Sequence, residues 1–128
     1  MNYLELKSKA ENNWNSLANG SKPWIRIGTA LCGKAAGAEA VIECLRKELS
    51  KKSIDAVITE VGCLGLCYAE PLVDIVNPGK PRVFYKNVTP AMVPELIESH
   101  LERNHPLNQY AIGYLGTPPI DGLTEITE

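Results

Sequence analysis

Apolar positions along the chain follow two periods, and the switches between them mark the elements. Within residues 3–18, Leu6, Ala10, Trp14 and Leu17 recur at steps of four, four and three, which predicts an amphipathic helix. Gly20 is its stop signal. Residues 24–28, Trp-Ile-Arg-Ile-Gly, read as a short strand. An alanine-rich helix is predicted from about 35 to 50, with Ala40, Val41, Cys44, Leu45 and Leu49 as its apolar stripe. Lys47, Lys51 and Lys52 suit its negative end. A second strand is predicted over 55–61, and Leu72 to Val76 is a short β-rich run. Asn77-Pro78-Gly79-Lys80 is a turn signal, so Arg82 to Val88 becomes the returning strand of a hairpin. Thr89 can cap a last helix that ends near Arg103. Pro90 suits its first position, but Pro94 one turn further in disturbs the ladder, so the regular helix is expected to begin at Pro94. Val93, Leu96, Ile97, His100 and Leu101 give its buried face.

After Asn104 the periodicity fails. Residues 105–128 carry Pro106, Gly113, Gly116, Pro118, Pro119 and Gly122, and read as an extended tail or linker. The order helix, then β-α-β, then β-β-α restricts the topology. The first two strands can pair in parallel through a right-handed crossover, and the hairpin adds antiparallel strands to the same sheet. This is an α/β, thioredoxin-like arrangement around a mixed sheet. It divides the chain into an N-terminal helix (1–22), a thioredoxin-like domain (23–104) and a C-terminal tail (105–128). The loops after the first and second strands then meet at one end of the sheet, and they carry Cys32 and the pair Cys63 and Cys67.

Composition narrows the chemistry. The chain has 128 residues and 45% hydrophobic content, as expected of one globular domain. A net charge of −2 with no basic block makes nucleic acid and anionic membrane poor partners. No apolar stretch approaches the ~20 residues of a membrane span. The first residues lack the apolar core of a signal peptide, so a cytoplasmic location is expected, where thiols stay reduced. Four cysteines in that setting suggest metal or redox work.

Two thiols three residues apart on a glycine-bearing turn, with a third from a neighbouring loop, can chelate a soft metal centre. A [2Fe–2S] cluster needs four soft ligands, usually thiolates, and being anionic it needs donors aimed at it. Gly33, Gly62 and Gly65 flank the three candidate thiols and can offer backbone N–H groups at close range. Cys32 also stands just before the alanine-rich helix, whose N-terminus favours negative charge. By counting, Cys44 is the fourth ligand. By geometry, it lies inside that helix on its apolar stripe, where it reads as a small core residue. A ligand role for it requires residues 33–43 to be largely unwound.

The stretch from Cys32 to Ala38, Cys-Gly-Lys-Ala-Ala-Gly-Ala, together with Gly62-Cys63-Leu-Gly-Leu-Cys67-Tyr-Ala-Glu-Pro71-Leu-Val-Asp74, resembles the thioredoxin-like [2Fe–2S] ferredoxins. The resemblance covers about residues 24–103 and is nearest to the ferredoxin-like domain of the flavin-bearing, NADH-oxidising subunits of complex I relatives, in NAD-linked hydrogenases and formate dehydrogenases. It implies Cys32, Cys63 and Cys67 as cluster ligands and one-electron transfer as the activity. It implies flavin- or NADH-binding and iron–sulfur subunits as partners. In that family a further cysteine stands at the strand end, where this chain has Gly28 and Thr29. Three completions of the site follow: Cys44 is recruited, a non-cysteine group or a partner supplies the ligand, or the cluster is lost and a docking module remains. The chain has neither major type of phosphate-binding glycine loop, so it is not expected to hold NADH or flavin itself.

Structural zinc usually wants Cys-x2-Cys pairs, and His100 and His105 sit on another element. A thiol–disulfide enzyme of this fold wants Cys-x-x-Cys where this chain reads Cys32-Gly-Lys-Ala. No Ser/His/Asp set or paired acid site stands out, so no independent catalysis is expected. Among the remaining residues, Pro71 occupies a place that thioredoxin-like folds often give to a cis proline, and Glu70 is a loop carboxylate that either tunes the site or is solvated. Tyr68 either covers the cluster or simply packs. Trp14 and Trp24 are expected in the core, and Asp74 on a solvent-facing strand edge.

Overall fold

The computed structural model describes residues 2–18, 20–29, 37–62 and 69–126. Helix α1 (Tyr3–Ala18) precedes β1 (Trp24–Gly28), α2 (Ala38–Lys51) and β2 (Val57–Val61). Strands β3 (Val73–Val76) and β4 (Arg82–Tyr85) follow. A 3-10 turn (Pro90–Met92) then leads into α3 (Val93–Leu96), which continues as a π-helical stretch (Ile97–Glu102). A second 3-10 turn (Asn108–Tyr110) leads into β5 (Ala111–Leu115). The five strands form one mixed sheet in the order β2-β1-β3-β4-β5. Only β1 and β2 pair in parallel, through the α2 crossover; the other pairs are antiparallel. The α/β, thioredoxin-like arrangement expected from the element order is therefore present.

Alternation along the strands sends Ile25, Ile27, Val73, Ile75, Val83 and Tyr85 to one face, where α2 and α3 cover them. The buried stripe of α2 is Ala38, Val41, Ile42, Leu45 and Leu49. Ala40, expected in that stripe, is exposed, because the stripe turns one position away from it. Pro94 sits in the first turn of α3, where its missing N–H costs no bond, and regular α-helix starts at Val93, one residue before the expected point. Val93, Leu96, Ile97 and His100 are buried, as the periodicity requires. Strand β4 stops at Tyr85 rather than Val88, since Asn87 takes a left-handed φ of 49° that pleated pairing does not tolerate.

Residues 105–128 were expected to run as an extended tail, yet Ala111–Leu115 enters the sheet beside β4 and the following segment folds back on Tyr114. Trp14 is 55% exposed rather than in the core. Helix α1 lies largely in solvent, and Trp14 meets the buried Trp24 only edge-on, with ring centroids 5.5 Å apart. Asp74 is 3% exposed, not on a wet edge, because β3 is an interior strand. Arg26, opposite it on β1, donates to it at 2.9 and 3.1 Å, and Arg82 of β4 donates from the other side. Both guanidinium groups lie over the Trp24 ring, Arg82 at 4.6 Å and Arg26 at 5.4 Å from its centroid. No helix among the described residues is long and apolar enough to cross a membrane.

Two measurements test these energetics. Removing one partner of a buried ion pair strands the others, so Asp74→Ala should cost about 3 kcal/mol in urea denaturation, whereas Trp14→Ala should cost under about 1 kcal/mol. His100 is 2% exposed, and burial pulls its pKa down from the usual 6.5 to about 4. The folded state thus holds the ring neutral, and the unfolded state takes up the proton first as the pH drops. The stabilisation is complete above the unfolded pKa and fades as the pH falls from about 6.5 towards about 4. Folding free energy should fall by roughly 3 kcal/mol between neutral pH and about pH 4, and His100→Gln should flatten that slope.

Candidate functional site

Strands β1 and β2 end side by side, with Gly28 paired to Val61. The ladder runs one bond further, from Thr29 N–H to the Val61 carbonyl at 3.0 Å. Segment 30–36 leaves from Thr29 and segment 63–68 from Gly62, so both depart from neighbouring strand ends. Cys32, Cys63, Cys67 and Tyr68 lie in these segments, outside the described residues. The first segment rejoins the described chain at Gly37, the N-cap of α2, whose φ of 99° favours glycine. The second rejoins it at Ala69.

The re-entry at 69–72 is tied down on both sides. Gly28 N–H donates to the Leu72 carbonyl at 3.1 Å. Asn87 N–H donates to the Ala69 carbonyl at 2.7 Å, and Val88 N–H to the Pro71 carbonyl at 3.0 Å. The Glu70–Pro71 bond is cis, in the place where the sequence suggested one. Glu70 is not solvated: it is 7% exposed, and its Oε2 accepts the Leu72 N–H at 3.0 Å. Gly28 makes room for it, since a Cβ there would stand 3.2 Å from Oε2 and 3.3 Å from Oε1. A buried carboxylate thus closes the end of β1, beside the strand end from which the first cysteine-bearing segment departs. The Glu-Pro dipeptide and the glycine ending a strand were both visible in the sequence, but their contact spans 42 residues and was not foreseen.

Cys44 occupies the second turn of α2, six residues past Ala38 and thus roughly 9 Å along the axis from the helix start. It is half-buried against the core, with its Sγ 3.4 Å from the Pro90 carbonyl oxygen. Burial raises its thiol pKa, the Glu48 charge adds to the shift, and Lys47 opposes it. Residues 38–43 are helical, not unwound. No group of three or more His, Cys, Asp or Glu side chains that could hold a metal occurs among the described residues.

No family model matches the chain. A solved thioredoxin-like [2Fe–2S] ferredoxin from Aquifex aeolicus superposes with a TM-score of 0.63 at 22% identity, covering 82% of this chain and 100% of the other, which shows the fold. A 2Fe–2S ferredoxin of Clostridium pasteurianum is 30% identical over 74 residues, 56% of this chain and 70% of its own length. The chain belongs to the thioredoxin-like [2Fe–2S] ferredoxin family. The NADP-reducing hydrogenase subunit HndB of Solidesulfovibrio fructosivorans is 29% identical over 107 residues, 82% of this chain and 85% of its own. Membership gives the Glu70–Gly28 contact a setting: it buttresses the sheet end from which the cysteine-bearing segments of this family member depart.

That buttress can be tested without any cluster. Glu70→Ala leaves the buried Leu72 N–H without its acceptor and should cost about 1–3 kcal/mol, while Glu70→Gln keeps an acceptor oxygen and should cost less. Hydrogen exchange at the Leu72 amide should accelerate in the alanine variant only. Gly28→Ala forces the carboxylate to shift and should cost about 1–3 kcal/mol in the same denaturation series.

Proposed function

We propose that this chain carries a [2Fe–2S] cluster and passes single electrons within a hydrogenase-type or related NAD(P)H-linked complex. Cys32, Cys63 and Cys67 are its protein ligands in this reading. The observation that carries it is the adjacency of Thr29 and Gly62 at paired strand ends. Cys63 follows Gly62 directly, Cys32 follows Thr29 by three residues, and Cys67 precedes the anchored Ala69 by two. All three thiols are therefore attached to one end of the sheet. The donor set is soft, as the cluster requires. When bound, the cluster supplies reversible one-electron chemistry.

The fourth ligand is a group other than Cys44. That thiol sits on an intact helix, engages the Pro90 carbonyl and is held towards its protonated form, whereas the thiolate is the ligand. A non-cysteine group or a partner subunit completes the coordination. The described backbone contributes rigidity: Gly28, Thr29, Ala69 and Pro71 are pinned by hydrogen bonds, and α2 points its N-terminus towards the same end of the sheet. The relation to a hydrogenase subunit supports assembly with flavin- or iron–sulfur-bearing partners.

Anaerobic purification with visible absorption and EPR spectroscopy tests this reading. A reddish-brown protein with about two iron and two sulfide per chain is expected. Cys63→Ser should bleach it, and Cys44→Ala should keep full colour at a cost of about 1 kcal/mol in packing. A colourless protein after anaerobic reconstitution would leave a cluster-free docking module.

A further inference from the structure

At the end of the sheet opposite Gly28, a strand length or roughly 15 Å away, the β3–β4 turn, the end of the third helix and the segment after β5 line a half-open cavity of about 160 Å³. That is below the ~300 Å³ at which drug-sized pockets begin, so any occupant is small. Its polar lining residues are Lys80, His100 and Asn104; four prolines and Ile120 form the rest of the wall.

The hydrogen-bond chain behind His100 fixes what it presents. Leu107 N–H donates to the Tyr85 phenol oxygen at 3.3 Å, and the same oxygen lies 2.7 Å from His100 Nδ1. The buried Tyr85 hydroxyl has one hydrogen to place, and Nδ1 is the acceptor in reach. Burial keeps the imidazole neutral. The ring hydrogen therefore sits on Nε2. That atom has no protein partner and is not sealed off, because Asn77 Oδ1 is the sole sealed, unpartnered side-chain atom among the described residues. Nε2–H accordingly opens on the cavity that His100 lines. Asn104 is oriented in a similar way: its Oδ1 accepts from Asn77 Nδ2 at 2.5 Å, which leaves its own NH2 as a donor. The exposed Lys80 adds a cation at the mouth. Each polar side chain of the lining has a donor to offer, and the side-chain oxygen of Asn104 is already engaged by Asn77.

We propose that this cavity binds a small aliphatic carboxylate, whose oxygens accept from His100 Nε2–H and Asn104 Nδ2–H beside the Lys80 ammonium while its alkyl group lies on the prolines. The site is independent of the cluster reading and stands whether or not the chain carries iron.

Nitrogen-15-labelled full-length protein tests it in two steps. Long-range proton–nitrogen spectra read the His100 tautomer directly, and the hydrogen is expected on Nε2; finding it on Nδ1 overturns the proposal. Titrations with butyrate, butylammonium and butanol follow. Saturable shifts at residues 80, 100 and 104 are expected with butyrate and not with butylammonium. Asn104→Asp keeps the acceptor for Asn77 but turns the cavity donor into a negative charge, so butyrate affinity should fall roughly tenfold or more, as for loss of a hydrogen bond to a charged group. Lys80→Gln should weaken binding to a smaller extent. Equal responses to butyrate and butylammonium, or an Asn104→Asp variant that binds butyrate unchanged, would sink the proposal.

Discussion

The backbone groups at the end of β1 hold together every segment that reaches the candidate site. Gly28 pairs with Val61 and donates to the Leu72 carbonyl, while Thr29 donates to Val61. One strand end therefore fixes the departure of both cysteine-bearing segments and the return of the second. This works because β1 is flanked on both sides and its Ile25 and Ile27 are fully buried. A central strand loses little to fraying, so what hangs from its end inherits its rigidity. The absence of a side chain at Gly28 lets the Glu70 carboxylate close against it, which no larger residue would allow without displacement.

The two faces of the sheet are stabilised by different physics. One is an ordinary apolar layer under α2 and α3. The other combines Asp74, held between Arg26 and Arg82 with Trp24 beneath both guanidinium groups, with a small apolar cluster of Ala69, Leu72 and Phe84. Burial lowers the Arg82 pKa and the Asp74 charge opposes that shift, so desolvation is offset by pairing. Trp24 completes the layer through its indole N–H, which donates to Thr59 Oγ1 at 2.9 Å. Helix α1 does not bury this face; it touches it through Trp14 alone among the ring contacts described.

Polar groups at the far end of the fold are equally ordered. Tyr85 and His100 form a buried pair, and Asn77 ties the hairpin turn to the His100 carbonyl at 2.7 Å. The two ends thus differ in character. One anchors the segments that carry Cys32, Cys63 and Cys67, and the other gathers polar side chains beside a wall of prolines.

Local pattern by itself determined the strand at 24–28, the helix after it, the hairpin turn at 77–80 and the limit that Pro94 sets on the last helix, because each depends on neighbours a few positions away. It also brought the points from which the two cysteine-bearing segments depart to one end of the sheet, since a parallel β-α-β unit ends both strands there. The cysteines themselves lie outside the described residues, so the legible part of the site is its frame. Tertiary structure alone decided that Asp74 is buried, that Trp14 is not, that residues 111–115 make a fifth strand and that Glu70 closes against Gly28. Asp74 is buried because Arg26 and Arg82 arrive from the neighbouring strands to pair it, and Glu70 because the Leu72 N–H and the open space at Gly28 receive it. A helix stripe is covered only if another element packs on it, and a short strand with a glycine at its centre forms only where an open edge awaits it. Leu72 apart, each of those partners is remote in sequence, and periodicity carries no information about it.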